Sequence, residues 1–145
     1  MYLWNDGPSG LAPWLRAEVA LDTELAAGAR SPSVKRVQEW LTLNRHAVAI
    51  DGVYGSTTSE VVARYQGESS LPASGNTDAA TFARLTAPMR GALQRLEHAS
   101  PTLSAAILDY ARSHLSQQPR EVGGQNRGPW VRMYLDGRDG ADRAW

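Results

Sequence analysis

No cysteine occurs among the 145 residues. Disulfides, zinc–thiolate sites, iron–sulfur clusters and a cysteine nucleophile are therefore excluded within them. Lysine is nearly absent too: of the 15 basic residues only Lys35 is lysine. With so much alanine beside the arginine, this reads as a GC-rich genome and carries no functional weight. Acidic and basic residues balance at 15 each, so the formal charge is zero. That argues against an electrostatic binder of nucleic acid or of a membrane surface. No apolar run exceeds a few residues, so no membrane span is expected. The opening residues Met1 to Pro8 carry neither a basic n-region nor an apolar h-region, so no secretory signal is expected. His46, His98 and His114 lie far apart with no HxH or HExxH spacing, so neither zinc nor any other cofactor is expected. There is no Walker loop, no GxGxxG and no serine elbow.

What the chain does hold is helical punctuation. Its length suits one ordinary domain, burying roughly 70% of its unfolded surface, or two small ones. Pro13 opens a helical candidate from Trp14 to Ala27 with Leu15, Val19, Leu21 and Leu25, which Gly28 would stop. Ser33 can cap a helix whose face is Val34, Val37, Trp40 and Leu41 and which ends at Asn44-Arg45-His46. An extended piece, Ala47–Ile50, leads into the tight loop Asp51-Gly52-Val53-Tyr54-Gly55. Thr57 to Glu60 is a capping-box pattern for a helix carrying Val61, Val62 and Tyr65 inward. After a loop through Gly75, Thr77 or Asp78 caps a helix with Phe82 and Leu85. Residues 31–87 thus carry a two-part echo: helix, glycine loop, capped helix, glycine turn, capped helix. Pro88 sets off a further helix with Met89, Ala92, Leu93 and Leu96. Ser100-Pro101 starts another with Leu103, Ile107, Leu108, Ala111 and Leu115. The glycine-dense loop 123–129 then precedes a short helix at Trp130, Val131, Tyr134 and Leu135. The five tryptophans, Trp4, Trp14, Trp40, Trp130 and Trp145, read as packing aromatics or as a stacking platform for sugar rings.

At 34–85 the signature is Val34-x-x-Val37-Gln38-x-x-Leu41, Ile50-Asp51-Gly52-x-Tyr54-Gly55-x-x-Thr58, Val61-Val62-x-x-Tyr65-Gln66, and Leu71-x-x-x-Gly75-x-x-Asp78-x-x-Thr81-x-x-x-Leu85. This resembles the three-helix peptidoglycan-binding domain attached to many cell-wall hydrolases. Tyr54 and Tyr65 stand where that family usually has Phe, and Gly67-Glu68-Ser69-Ser70 replaces its more usual helix end. The resemblance implies peptidoglycan as partner. Its candidate ligand residues are Arg45, Asp51, Gly52, Tyr54, Thr58, Tyr65 and Gln66, with Tyr54 and Arg45 foremost. The same residues also read as fold determinants: Asp51 can accept loop N–H groups, the glycines permit the turn, and Gln38 and Gln66 can bond loop backbone.

Residues 103–145, above all Arg120-Glu121-Val122-Gly123-Gly124-Gln125-Asn126-Arg127-Gly128-Pro129-Trp130-Val131-x-x-Tyr134-Leu135, resemble the opening of a papain-like peptidoglycan amidase or peptidase domain of the CHAP and NlpC-type group. The loop residues concerned are Glu121, Asn126, Arg127 and Gly128. In that group a nucleophilic Cys follows a Trp, and this sequence stops at Trp145 without one. No cysteine hydrolysis is expected of these residues. Glu121 has two other readings. It could be a muramidase acid with Asp136, Asp139 or Asp142 as second carboxylate, or it could simply bond loop backbone beside Arg127.

The expectation is an all-α chain as far as it runs. Residues 1–30 are a possible docking extension, 31–88 the peptidoglycan-binding domain, 89–100 a linker helix, and 101–145 an incomplete papain-like domain. Trp130, Tyr134 and Leu135 are expected to be partly exposed for want of a sheet. Three functions follow: a wall-binding module that concentrates a fused hydrolase, the N-terminal piece of a cysteine amidase or endopeptidase, or a structural part docking through residues 1–30 onto a phage or injection apparatus. With no signal peptide expected, synthesis in the cytoplasm and action at the wall after release, as an endolysin or within a virion, complete the reading.

Overall fold

The computed structural model describes residues 7–97 and 99–140. Trp4, His98, Asp142 and Trp145 lie outside the described residues. Among those described, seven α-helices follow one 3₁₀ turn at Pro8–Gly10: α1 Pro13–Val19, α2 Pro32–Leu43, α3 Ser56–Glu68, α4 Ala79–Leu85, α5 Ala87–Leu93, α6 Leu103–Ser116 and α7 Pro129–Tyr134. Two isolated antiparallel bridges pair Leu25 with Thr77 and Arg30 with Val53. None of these helices is long and apolar enough to cross a membrane.

Local signals explain most of the starts. Pro32 occupies the first turn of α2, and the Ser31 hydroxyl accepts the Val34 N–H at 3.2 Å. The cap is therefore Ser31 rather than Ser33, because a proline at the first position places the capping residue just before it. Asp78 caps α4 by accepting the Thr81 N–H at 2.7 Å. α3 begins from Gly55, not from a capping box at Thr57. The Thr58 hydroxyl is engaged inward, where Gln38 donates to it. α6 is capped by Thr102; the backbone N–H of Ser100 is instead held by Asp109 at 2.9 Å.

α1 is shorter than the helix expected to reach Ala27. Ala20 is already extended, and Leu25 exchanges both backbone hydrogen bonds with Thr77, at 3.0 and 2.8 Å. Pairing with a distant segment outweighs local helix propensity there.

One hydrophobic core joins both sides of the boundary expected near 88–101. It runs from Leu11, Leu15 and Val19 through the inward faces of α2, α3 and α4 to Met89, Ala92 and Leu93 of α5, and on to Trp130 of α7. Trp130 is only 3% exposed. It meets Trp40 of α2 edge-on, with ring centroids 6.2 Å apart, so this ring finds its cover in α2 rather than in a sheet. Such aromatic pairs add about 0.5–1.5 kcal/mol beyond area burial. Leu135 is half-buried and Tyr134 is exposed. The largest apolar exposure is on α6, where Leu103, Ile107, Leu108 and Leu115 stand open and no residue is buried.

Charge ties the same parts together. The Arg132 guanidinium of α7 donates to both carboxylate oxygens of Glu18 on α1, at 2.8 and 2.9 Å, and to both of Glu39 on α2. Glu18 and Glu39 are each 1% exposed. Burial works against the Arg132 charge, yet the bonds to Glu18 and Glu39 outweigh it and raise its pKa above the ordinary arginine value. Arg36 adds a 2.8 Å bond to Glu18. On the other side, Arg90 of α5 donates to the Val19 carbonyl at 2.7 Å. The N-terminal segment is thereby fastened at two points.

Candidate functional site

The echo in residues 31–87 is built on two glutamines. Gln38 of α2 reaches into the loop before α3. Its Oε1 accepts the Asp51 and Gly52 N–H groups at 3.1 and 2.8 Å, and its Nε2 donates to the Val53 carbonyl at 3.0 Å and to Thr58 Oγ1 at 3.3 Å. Gln66 of α3 repeats this in the loop before α4. Its Oε1 accepts the Gly75 N–H at 2.9 Å, and its Nε2 donates to the Asn76 carbonyl at 2.7 Å and to Thr81 Oγ1 at 3.0 Å. Asp51 Oδ1 accepts the Val53 N–H at 2.9 Å, and Ser74 Oγ accepts the Asn76 N–H at 3.2 Å. A primary amide supplies a donor and an acceptor on adjacent atoms, as the two faces of a loop require. Each loop also needs a glycine at left-handed φ, +75° at Gly52 and +76° at Gly75. At Gly75 a Cβ would lie 2.5 Å from Ser59 Oγ.

The expected ligand residues divide accordingly. Tyr54 is fully buried, and its hydroxyl is shared between the Gly75 carbonyl at 2.8 Å and Thr77 Oγ1 at 2.9 Å. It joins the first loop to the second, and burial raises its pKa. The ring offered to a ligand by the sequence is therefore inside the domain. Thr58 and Gln66 are likewise interior. Tyr65 is 5% exposed, lying under His46 at 5.3 Å between ring centroids, and burial raises its pKa as well. Asp51 keeps an exposed carboxylate, held below the usual range by the Val53 N–H and then by Gln38. Arg45 is exposed, and its side chain makes no hydrogen bond or ion pair among the described residues.

Arg45 borders the feature that sequence reasoning missed. A cleft of about 250 Å³ is lined by Trp40, Leu43, Asn44, Arg45, Pro88, Gln117, Gln118, Arg120 and Trp130. It joins the C-terminal end of α2 to the segment after α6. Arg120 reaches across to the Leu43 carbonyl at 3.1 Å. Trp40 is 1% exposed, and its indole N–H has no acceptor among the described residues. The pairing of residue 40 with residue 130 across distant sequence left no local pattern from which the cleft could be read.

Residues 30–85 match the family model of the peptidoglycan binding domain. Such a domain therefore occupies this part of the chain. The match spans both glutamine-held loops and the helices α2, α3 and α4. No curated protein and no solved structure matches the chain.

Beyond the peptidoglycan-binding domain, the loop at 121–128 is held by local bonds. Glu121 is exposed, and its carboxylate accepts the Asn126 N–H at 3.1 Å. Val122 N–H reaches the Arg127 carbonyl at 3.1 Å. Gly128, at φ +108°, leaves no room for a Cβ, which would meet Val122 Cγ1 at 2.8 Å. Asn126 is buried and Arg127 exposed. Asp139 is exposed and accepts from Arg132 at 3.3 Å. Among the described residues no group of three or more His, Asp or Glu could hold a metal ion.

Proposed function

We propose that this chain binds peptidoglycan through its 30–85 domain and holds an attached wall hydrolase at the cell wall. The observation that carries the reading is the family match over a segment whose two loops are both locked by interior glutamines. Rigid loops hold surface groups in place without an ordering cost at binding, which favours affinity. The bound surface is the polar exterior around Arg45, since Tyr54, Thr58 and Gln66 are spent on the interior. Glycan strands and stem peptides are extended and polar, so they suit a shallow surface of this kind. Retention raises the effective concentration of whatever activity the chain carries.

The papain-like resemblance of residues 103–145 supplies the proposed cargo. The open apolar face of α6, with Leu103, Ile107, Leu108 and Leu115, supports it, because the rest of such a domain would cover that face. An endolysin or a wall-degrading part of a virion is the carrier we favour. The test is retention of the full chain on purified insoluble peptidoglycan. Binding is expected, with release when a glycan-cleaving enzyme dissolves the wall. A chain that stays in solution with walls of several chemotypes would overturn the proposal.

A further inference from the structure

We propose that the cleft between the end of α2 and the segment 117–120 is a subsite for the free carboxylate of a peptidoglycan stem peptide. This deepens the wall-binding proposal and rests on it. The lining holds two arginines and no acidic residue. Arg45 has its backbone fixed at the helix end, where its N–H bonds the Thr42 carbonyl at 3.0 Å and the next N–H bonds Leu41 at 2.8 Å. Its φ is +69°, and its guanidinium has no partner among the described residues. The Arg120 guanidinium donates to the Leu43 carbonyl at 3.1 Å, which holds this second cation in the cleft lining.

The second observation is independent of charge. The indole N–H of Trp40, a residue lining the cleft, is buried without an acceptor among the described residues. Leaving a buried donor unmade costs about 1–3 kcal/mol. Trp40 forms one wall of the cleft, so its indole signal reports an occupant. Guanidinium groups bind carboxylates strongly through paired N–H donors. The remaining lining, Leu43, Pro88 and Trp130, is apolar and suits a small side chain next to that carboxylate. At about 250 Å³ the cleft falls below the usual 300–1,000 Å³ range of drug-sized sites, so it admits a terminal amino acid and not a glycan strand.

The experiment follows the tryptophan indole signals of the full chain by ¹H–¹⁵N spectroscopy, with the Trp40 signal assigned from Trp40→Phe. The probes are a soluble muropeptide with a free terminal carboxylate, the same muropeptide amidated at that carboxylate, and glycerol phosphate as a stand-in for wall phosphate polymers. The free acid is expected to shift the Trp40 signal saturably. Amidation and Arg45→Gln are each expected to weaken binding at least tenfold, and Arg64→Gln on the exposed side of α3 to leave it unchanged. An equal response to the amide, or to glycerol phosphate, overturns the stem-carboxylate assignment. So does an unshifted Trp40 in a chain that still pellets with insoluble peptidoglycan, which leaves the wall-binding proposal standing. A chain that does not pellet, yet shifts Trp40 with the free acid, keeps the subsite and removes wall retention.

Discussion

Replacing Arg132 with methionine tests whether the ion cluster holds the three parts of the chain together. The substitution keeps an unbranched apolar stem, shortens the side chain, and removes its N–H donors. It strands Glu18 and Glu39, each 1% exposed. Arg36 still reaches Glu18 at 2.8 Å, but Glu39 loses its cationic partner. Removing one member of a buried ion pair costs about 3–5 kcal/mol, against a total stability of roughly 5–15 kcal/mol for a domain. At about 2–4 °C per kcal/mol for a chain of this size, the melting temperature should fall by about 10 °C. Urea unfolding followed by tryptophan fluorescence reads the change, because Trp40 and Trp130 report the α2–α7 contact. The companion triple variant Arg132→Met, Glu18→Leu, Glu39→Leu should recover most of the loss, since well-packed apolar groups often replace buried ions without cost. A single variant within 1 kcal/mol of the parent would refute the reasoning, as would a triple variant no better than the single one.

Three further outcomes follow from the interior of the domain. Tyr54→Phe should cost about 1–3 kcal/mol, because the Ser59 hydroxyl still donates to the Gly75 carbonyl at 3.1 Å while the buried Thr77 hydroxyl loses its Tyr54 partner; a folded variant that no longer binds wall would return Tyr54 to the ligand. Gln66→Ala should cost about 3 kcal/mol, since it strands the Gly75 N–H and the Asn76 carbonyl together; a denaturation midpoint within error of the parent would contradict the loop account. Asp51 and Asp78 both have carboxyls held low by hydrogen bonds, from Val53 and Gln38 in one case and from Thr81 in the other. Their ionised forms are the bonded ones, so their stabilisation is present above the unfolded value of 3.8 and is lost as pH falls below it. Urea midpoints should drop from pH 5 to pH 3, and Asp51→Asn with Asp78→Asn should flatten that drop.

The peptidoglycan-binding segment was largely readable from its residues. Gln38, Gly52 and Thr58 and then Gln66, Gly75 and Thr81 recur in order, and each amide needs a glycine turn and a first-turn hydroxyl in reach. The echo in the sequence is the echo in the structure. Helix starts were less certain, because Ser31 and Ser33 differ only by which one precedes the proline, and because Thr58 serves a tertiary bond instead of its own helix end. The ends of the chain were the least legible. Glu18 and Arg132 stand 114 positions apart, and no local pattern announces such a pair. Trp130 likewise carries the same apolar signature whether it faces a sheet or Trp40. The cleft at Arg45 exists only once these long-range contacts have formed, which is why Arg45 stood out in sequence as a residue but not as part of a site.

A sedimentation isotherm on purified insoluble peptidoglycan, run for the full chain beside Tyr54→Phe and Arg45→Gln with each first shown to be folded, bears most directly on the reading of this molecule as a wall binder that works through its exterior. Saturable pelleting of the parent and of Tyr54→Phe, with Arg45→Gln weakened at least tenfold, is the expected result. A parent chain that remains in the supernatant, or a folded Tyr54→Phe that fails to pellet while Arg45→Gln binds normally, would contradict it.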